Sequence, residues 1–155
     1  MRHTIALILL LLPTLCFSQI KVPDIGEGWK AQVDSAIALV KATSPESYDL
    51  LIDNCKEIEY IIGDYSTTKP PHIIAINTRD LQKHSINNIA AILVHESYHL
   101  YLYNIGAHLD PNFEELVCYR KEYTFLCKLP YVEDWLFRNA INQIISYSSV
   151  INTHR

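Results

Sequence analysis

The stretch from Ile86 to Tyr103 is almost continuously apolar, yet it carries His95, Glu96 and His99 within it. Ile89, Leu93, Tyr98 and Leu100 are spread around all its sides, which predicts a helix over Asn87 to Tyr103 buried on most of its surface. A chain built round such a helix must pack other elements against several of its faces. It must also find partners for two imidazoles and a carboxylate, because buried polar groups without partners are costly. The spacing shows how. Residues four apart share a helical face, so His95 and His99 can hold one metal ion, and Glu96 lies close enough to reach a water on that ion.

The remaining bulk properties fit one globular domain. The chain has 155 residues, 19% of them charged and 49% apolar, enough for a hydrophobic core. The net charge is -4 and the basic residues are scattered, so no nucleic-acid footprint is expected. Arg2 and His3 precede an apolar run from Ile5 to Leu12, and Cys16, Phe17 and Ser18 follow Pro13. This pattern predicts a secretory leader over residues 1–18, cleaved between Ser18 and Gln19, ahead of a single domain over 19–155. The run is short for a permanent anchor, so no stable membrane span is expected, and the mature chain is placed outside the cytoplasm as a secreted or periplasmic protein. A lipoprotein anchored through Cys16 is the weaker alternative, because Leu15 stands where a small residue is expected.

Export permits disulfides. Cys118 and Cys127 lie nine residues apart on one expected helix, about 13 Å of axial rise and too far to bridge. A disulfide would therefore join Cys55 to Cys118 or to Cys127, the alternative being three buried free thiols.

Trp29, Val33, Ile37 and Val40 mark a first amphipathic helix, and Ser44-Pro45 caps and opens a second through Tyr48, Leu51, Ile52 and Cys55. Glu57 to Ile62 and His72 to Asn77 read as strands, in an antiparallel pair or a larger sheet, joined by a turn-rich link from Thr67 to Pro71. Gly106 is placed to end the central helix in a left-handed cap. Asp110-Pro111 opens a helix running to about Lys128, and Val132 to Ile145 marks a last one before a frayed tail from Ser148 to Arg155. The expected fold class is α+β, mostly helical with a small sheet.

Catalytic zinc takes three protein ligands and a water. The helix after Asp110 folds back along the central one, and its fifth residue or so brings Glu114 and Glu115 to about the level of His99. Either carboxylate can complete the site, with His108 and Asp110 on the connecting loop in reserve. His95-Glu96-x-x-His99 followed by a glutamate on the next helix resembles the zincin metallopeptidases, and specifically the gluzincin arrangement. Glu115-Leu116-Val117-Cys118-Tyr119, then Phe125-Leu126, is similar to the third-ligand segment of small members, and this resemblance selects Glu115. It covers about Ile86 to Leu126 and implies that His72 to Asn77 is the strand that binds extended substrate. Leu102 and Ile105 stand where the metzincin pattern needs Gly and His, so the likeness is not to that branch.

The resemblance implies a zinc-dependent hydrolase acting on a peptide or protein substrate. Zn2+ would be held by His95, His99 and Glu115, with Glu96 as general base. The competing expectation is a non-catalytic zinc-binding module of the cell envelope with the same fold. Tyr98, Tyr101, Tyr103, Tyr119 and Tyr123 are expected mainly to pack, although one of them or His108 can stabilise an oxyanion. His72, His84 and His154 are expected at the surface.

Overall fold

Helix α4 (Ile86–Asn104) is contacted by four other helices and by two strands of the sheet, as its all-round apolar sequence requires. Ser85 opens it by accepting the backbone N–H of Asn88 at 3.3 Å. Gly106, at φ 68°, closes it. The Ala107 N–H returns to the Leu102 carbonyl at 2.9 Å and the Gly106 N–H to Tyr103 at 3.0 Å, the paired bonds of a Schellman cap. This structure is a computed structural model, and it describes residues 20–26, 28–83 and 85–153. The expected leader with Cys16, its cleavage point, and the calls on His84 and His154 lie outside those residues.

Helices α1 (Trp29–Thr43) and α2 (Pro45–Asn54) pack on α4 and on each other. Helix α5 (Pro111–Leu126) packs on α4, and α6 (Asp134–Thr153) packs on α5. One apolar cluster joins Val33 and Val40 of α1, Leu51 of α2, Leu93 and Leu100 of α4, Phe125 of α5 and Leu136 of α6. Each is almost fully buried, and such side chains contribute about 1.5–3 kcal/mol apiece. Asp110 caps α5 as expected, accepting the N–H groups of Asn112 at 2.9 Å and Phe113 at 3.3 Å.

The sheet has three strands in the order β1-β3-β2: β1 (Glu57–Ile61), β2 (Thr67–Lys69) and β3 (Ile73–Asn77). The class is α+β, mostly helical, as the sequence indicates. Three details differ from the sequence reading. Of the two arrangements expected for the strands, the larger sheet forms and the antiparallel pair does not: β1 and β3 run parallel, Glu57 opposite Ile73. The supposed turn-rich link contains β2, which pairs antiparallel with β3, Thr67 opposite Ala75. Strand β3 is therefore central. Both its edges are occupied, so it cannot accept an added substrate strand. The edge strands are β1, bridged on its outer side by Lys21 at Glu57, and β2.

A six-residue helix α3 (Thr78–Lys83) went unread, and α6 continues through Thr153, so the tail expected to fray from Ser148 is helical over 148–153. Ser44 stands at the start of α2, but its hydroxyl meets Ser47 Oγ at 2.8 Å and receives Lys128 Nζ at 3.2 Å instead of capping the backbone. The same Lys128 pairs with Glu46. Cys55, Cys118 and Cys127 are all free thiols, so neither expected disulfide forms. Cys127 is exposed rather than buried. Among the described residues no helix is long and apolar enough to cross a membrane.

Candidate metal centre

Helix α4 places His95 and His99 one turn apart with their Nε2 atoms 3.2 Å from each other. The Schellman turn at Gly106 and the Asp110 cap return the chain along α4, and α5 delivers three glutamates to the two rings. Glu115 lies between the imidazoles: Oε2 is 3.5 Å from His95 Nε2 and Oε1 is 3.5 Å from His99 Nε2. Glu114 Oε1 sits 2.6 Å from His99 Nδ1, and Glu122 Oε2 sits 3.1 Å from His95 Nδ1. An ionised carboxylate only accepts, so each Nδ1 donates and each Nε2 is turned toward Glu115.

Two nitrogen lone pairs cannot face each other at such a distance unless a proton or a metal cation lies between them. Burial works to lower the His95 pKa, but the hydrogen-bonding carboxylates of Glu115 and Glu122, with the charge of Glu96, outweigh it and push the pKa up to about 10. The hydrogen bond from His95, helped by the charge of His99, holds Glu115 below the usual carboxylate range despite burial. The cluster is thus a cage of negative charge round two imidazoles, a donor set that fits a divalent cation.

Cys118 also reaches the cluster. His95, His99 and Cys118 bring ligand atoms within 4.8 Å of one another, a group that can hold a metal ion. The thiol is fully buried, however, and that burial together with the charges of Glu115, Glu114, Glu96 and Glu122 raises its pKa far above the ordinary value. A thiol binds metal as thiolate. Glu115, whose pKa is held low, instead presents a carboxylate to both Nε2 atoms.

Glu96 is 8% exposed, and burial raises its pKa, while the nearby His95 and His99 charges pull it back. Its carboxylate lines two adjoining cavities of about 560 and 530 Å3, which share Tyr65, Ser66, His95, Glu96 and Tyr119. A carboxylate with a raised pKa, beside a cluster that could hold a cation and lining a cleft, is equipped to take and return a proton.

The expected metal residues His95, His99 and Glu115 therefore come together, with Glu96 beside them. Glu114, the alternative ligand, instead braces a ring from behind. His108 is exposed and Asp110 is committed to its helix cap, so neither of the reserve positions joins the cluster. Among the tyrosines, Tyr119 lies at the site, its ring 4.4 Å from that of His95 and stacked on Tyr147 at 5.9 Å. Tyr98 packs on Tyr101, and Tyr103 is exposed. The sequence reading missed Glu122, Tyr147 and the α6 wall. A signal for the first existed: Glu115, Cys118, Tyr119 and Glu122 recur at intervals that share one face of α5.

Comparison with protein-family models, with curated proteins and with solved structures found no match for the chain.

Proposed function

We propose that the protein is a zinc-dependent hydrolase that cleaves peptide bonds, with His95, His99 and Glu115 holding the ion and Glu96 as general base. The observation that carries this reading is the position of Glu115, one oxygen on each Nε2 of the histidine pair, 3.5 Å in both cases. Zinc, when bound, supplies Lewis acidity that acidifies a water and polarises a carbonyl. The chain's own groups do the rest. Glu114 and Glu122 fix the ring orientations by accepting from Nδ1.

Glu96 takes a proton from the attacking water as the water oxygen bonds to the scissile carbonyl carbon. It then gives that proton to the leaving nitrogen as the C–N bond breaks, leaving a carboxylate and an amine. Its raised pKa suits both halves of the exchange. The extended substrate would lie along the cleft beside Tyr65 and Ser66, close in sequence to the edge strand β2. The apolar run from Ile5 to Leu12 supports an exported location for this activity.

The test is elemental analysis of the purified chain together with a peptide-cleavage assay. One equivalent of zinc, with cleavage blocked by a chelator and restored by the metal, supports the reading. Stoichiometric zinc without cleavage of any peptide points to the binding module instead, and a chain that takes up no zinc ends both.

A further inference from the structure

An extended peptide entering the cleft must find partners for its main-chain N–H and C=O groups as water leaves them. Strand β3, which the sequence reading assigns to that task, has both edges paired and cannot supply them. Helix α6 can. Asn139 and Asn142 line the 560 Å3 cavity and Gln143 lines the 530 Å3 cavity, while His95 and Glu96 line both. Spacings of three and four residues put these carboxamides on one face of α6. Asn139 and Asn142 are exposed and Gln143 is half-buried. Among the described residues their side chains are committed to no other group.

The chemistry matches the need. A carboxamide offers donors and an acceptor together, and the main chain of every substrate residue except proline offers one of each. The lengths match as well. Asn139 and Gln143 stand about one turn apart, roughly 6 Å along the helix axis. In an extended peptide, the residues that turn N–H and C=O to the same side recur at every second position, about 6.6 Å apart. Carboxamides at i and i+4 of a helix therefore run nearly in step with alternate residues of a strand. From Asn139 to Thr153 the helix carries no Asp, Glu, Lys or Arg, so this row is as uncharged as the main chain it faces.

We propose, building on the peptidase reading, that Asn139 and Gln143 grip the main chain of an extended substrate and so stand in for an edge strand. Each bonds the N–H and C=O of one substrate residue, and the two gripped residues are two positions apart. The substrate class that follows is extended or unfolded peptide of varied sequence. Proline, which lacks the N–H, is excluded at both gripped positions.

The test uses the zinc-loaded full chain and a capped peptide that it cleaves, with analogues N-methylated at one main-chain nitrogen at a time. At two positions, two residues apart, N-methylation should raise KM by about three- to tenfold, the range of one net hydrogen bond, and change kcat far less. Asn139→Leu and Gln143→Leu, both on the cleft face of α6, should each raise KM for the parent peptide by a similar factor, with zinc content unchanged. The coupling between variant and analogue is decisive. Each variant should become indifferent to N-methylation at its own position and stay sensitive at the other. A merely structural loss would leave both sensitivities in place.

A second readout needs no turnover: the side-chain amide signals of Asn139 and Gln143 in NMR on adding a capped alanine–serine heptapeptide or its fully N-methylated analogue. The unmethylated peptide alone should shift them. If no peptide is cut but these signals respond in that way, the peptidase reading fails and the main-chain grip stands. The grip is overturned if N-methylation has the same effect in the parent and in both leucine variants, or if the two heptapeptides act equally or not at all.

Discussion

Glu122 on α5 accepts from the Nδ1 of His95 on α4 at 3.1 Å, so a residue far along the chain fixes which ring nitrogen faces Glu115 and His99. Glu114 does the same for His99 at 2.6 Å. Outer carboxylates of this kind typically change metal affinity by about 10–100-fold. Glu122→Gln is expected to weaken zinc binding by about that factor without abolishing it, as read by competition with a calibrated chelator. Unchanged affinity would mean that the ring is held by packing alone.

Glu115 and Cys118 are the two candidates for the third ligand of the proposed site, and substitution separates them. Glu115→Ala should lose the stoichiometric ion, whereas Cys118→Ala should keep it, since the buried thiol is far from ionised. Metal content after dialysis decides the matter, and the opposite pattern would hand the third position to Cys118.

Glu96→Gln preserves size and leaves every ligand in place. Zinc content should match the parent, while kcat for peptide hydrolysis falls by about 10^2–10^4-fold, the usual contribution of a positioned general base. Parental turnover in this variant would remove Glu96 from the proton path.

The carboxylates around His95 predict a pH dependence in chelator-treated protein. The folded pKa is raised from 6.5 to about 10, so the folded state holds this proton more tightly than the unfolded chain does. The resulting stabilisation is fully present below pH 6.5 and is lost as pH rises toward 10. Urea midpoints measured across that window should fall with pH, and less steeply for His95→Gln. Identical slopes for the two proteins would show that His95 carries no such proton.

Gly106→Ala tests the reversal that brings α5 back along α4. The position has φ 68°, and an added Cβ would meet nothing within 4 Å, so the whole cost is backbone strain. About 1–2 kcal/mol of stability should be lost, measured by denaturant titration. A neutral result would mean that the turn tolerates another conformation.

What was legible in the sequence follows from which interactions are local. The helix carrying His95 and His99 announces itself because an apolar surface on all sides has one stable use, burial. Asp110-Pro111 and Gly106 set the return of α5 by cap chemistry within a few residues, which is why Glu115 could be placed near the pair. Strand β2 was hidden because Thr67 to Lys69 is only three residues long and is defined by its partner, β3. The parallel pairing of β1 with β3 is likewise invisible to periodicity, which reads one strand at a time.

Ser44 was misjudged because Lys128, 84 residues away, engages the hydroxyl that a local rule assigns to the helix start. Glu114 and Glu115 are neighbours in sequence but point at different nitrogens, and spacing alone does not divide ligand from brace. The tail from Ser148 to Thr153 lacks a strong apolar stripe and is helical all the same, as a continuation of α6 from the segment that packs on α5.

Helix α5 brings Glu115 to the histidine pair and also carries α6, whose residues form the far wall of the cleft. In the proposed enzyme, ion and peptide would therefore belong to one thermodynamic cycle. Whatever factor the ion adds to the affinity for peptide, the peptide must return to the affinity for the ion.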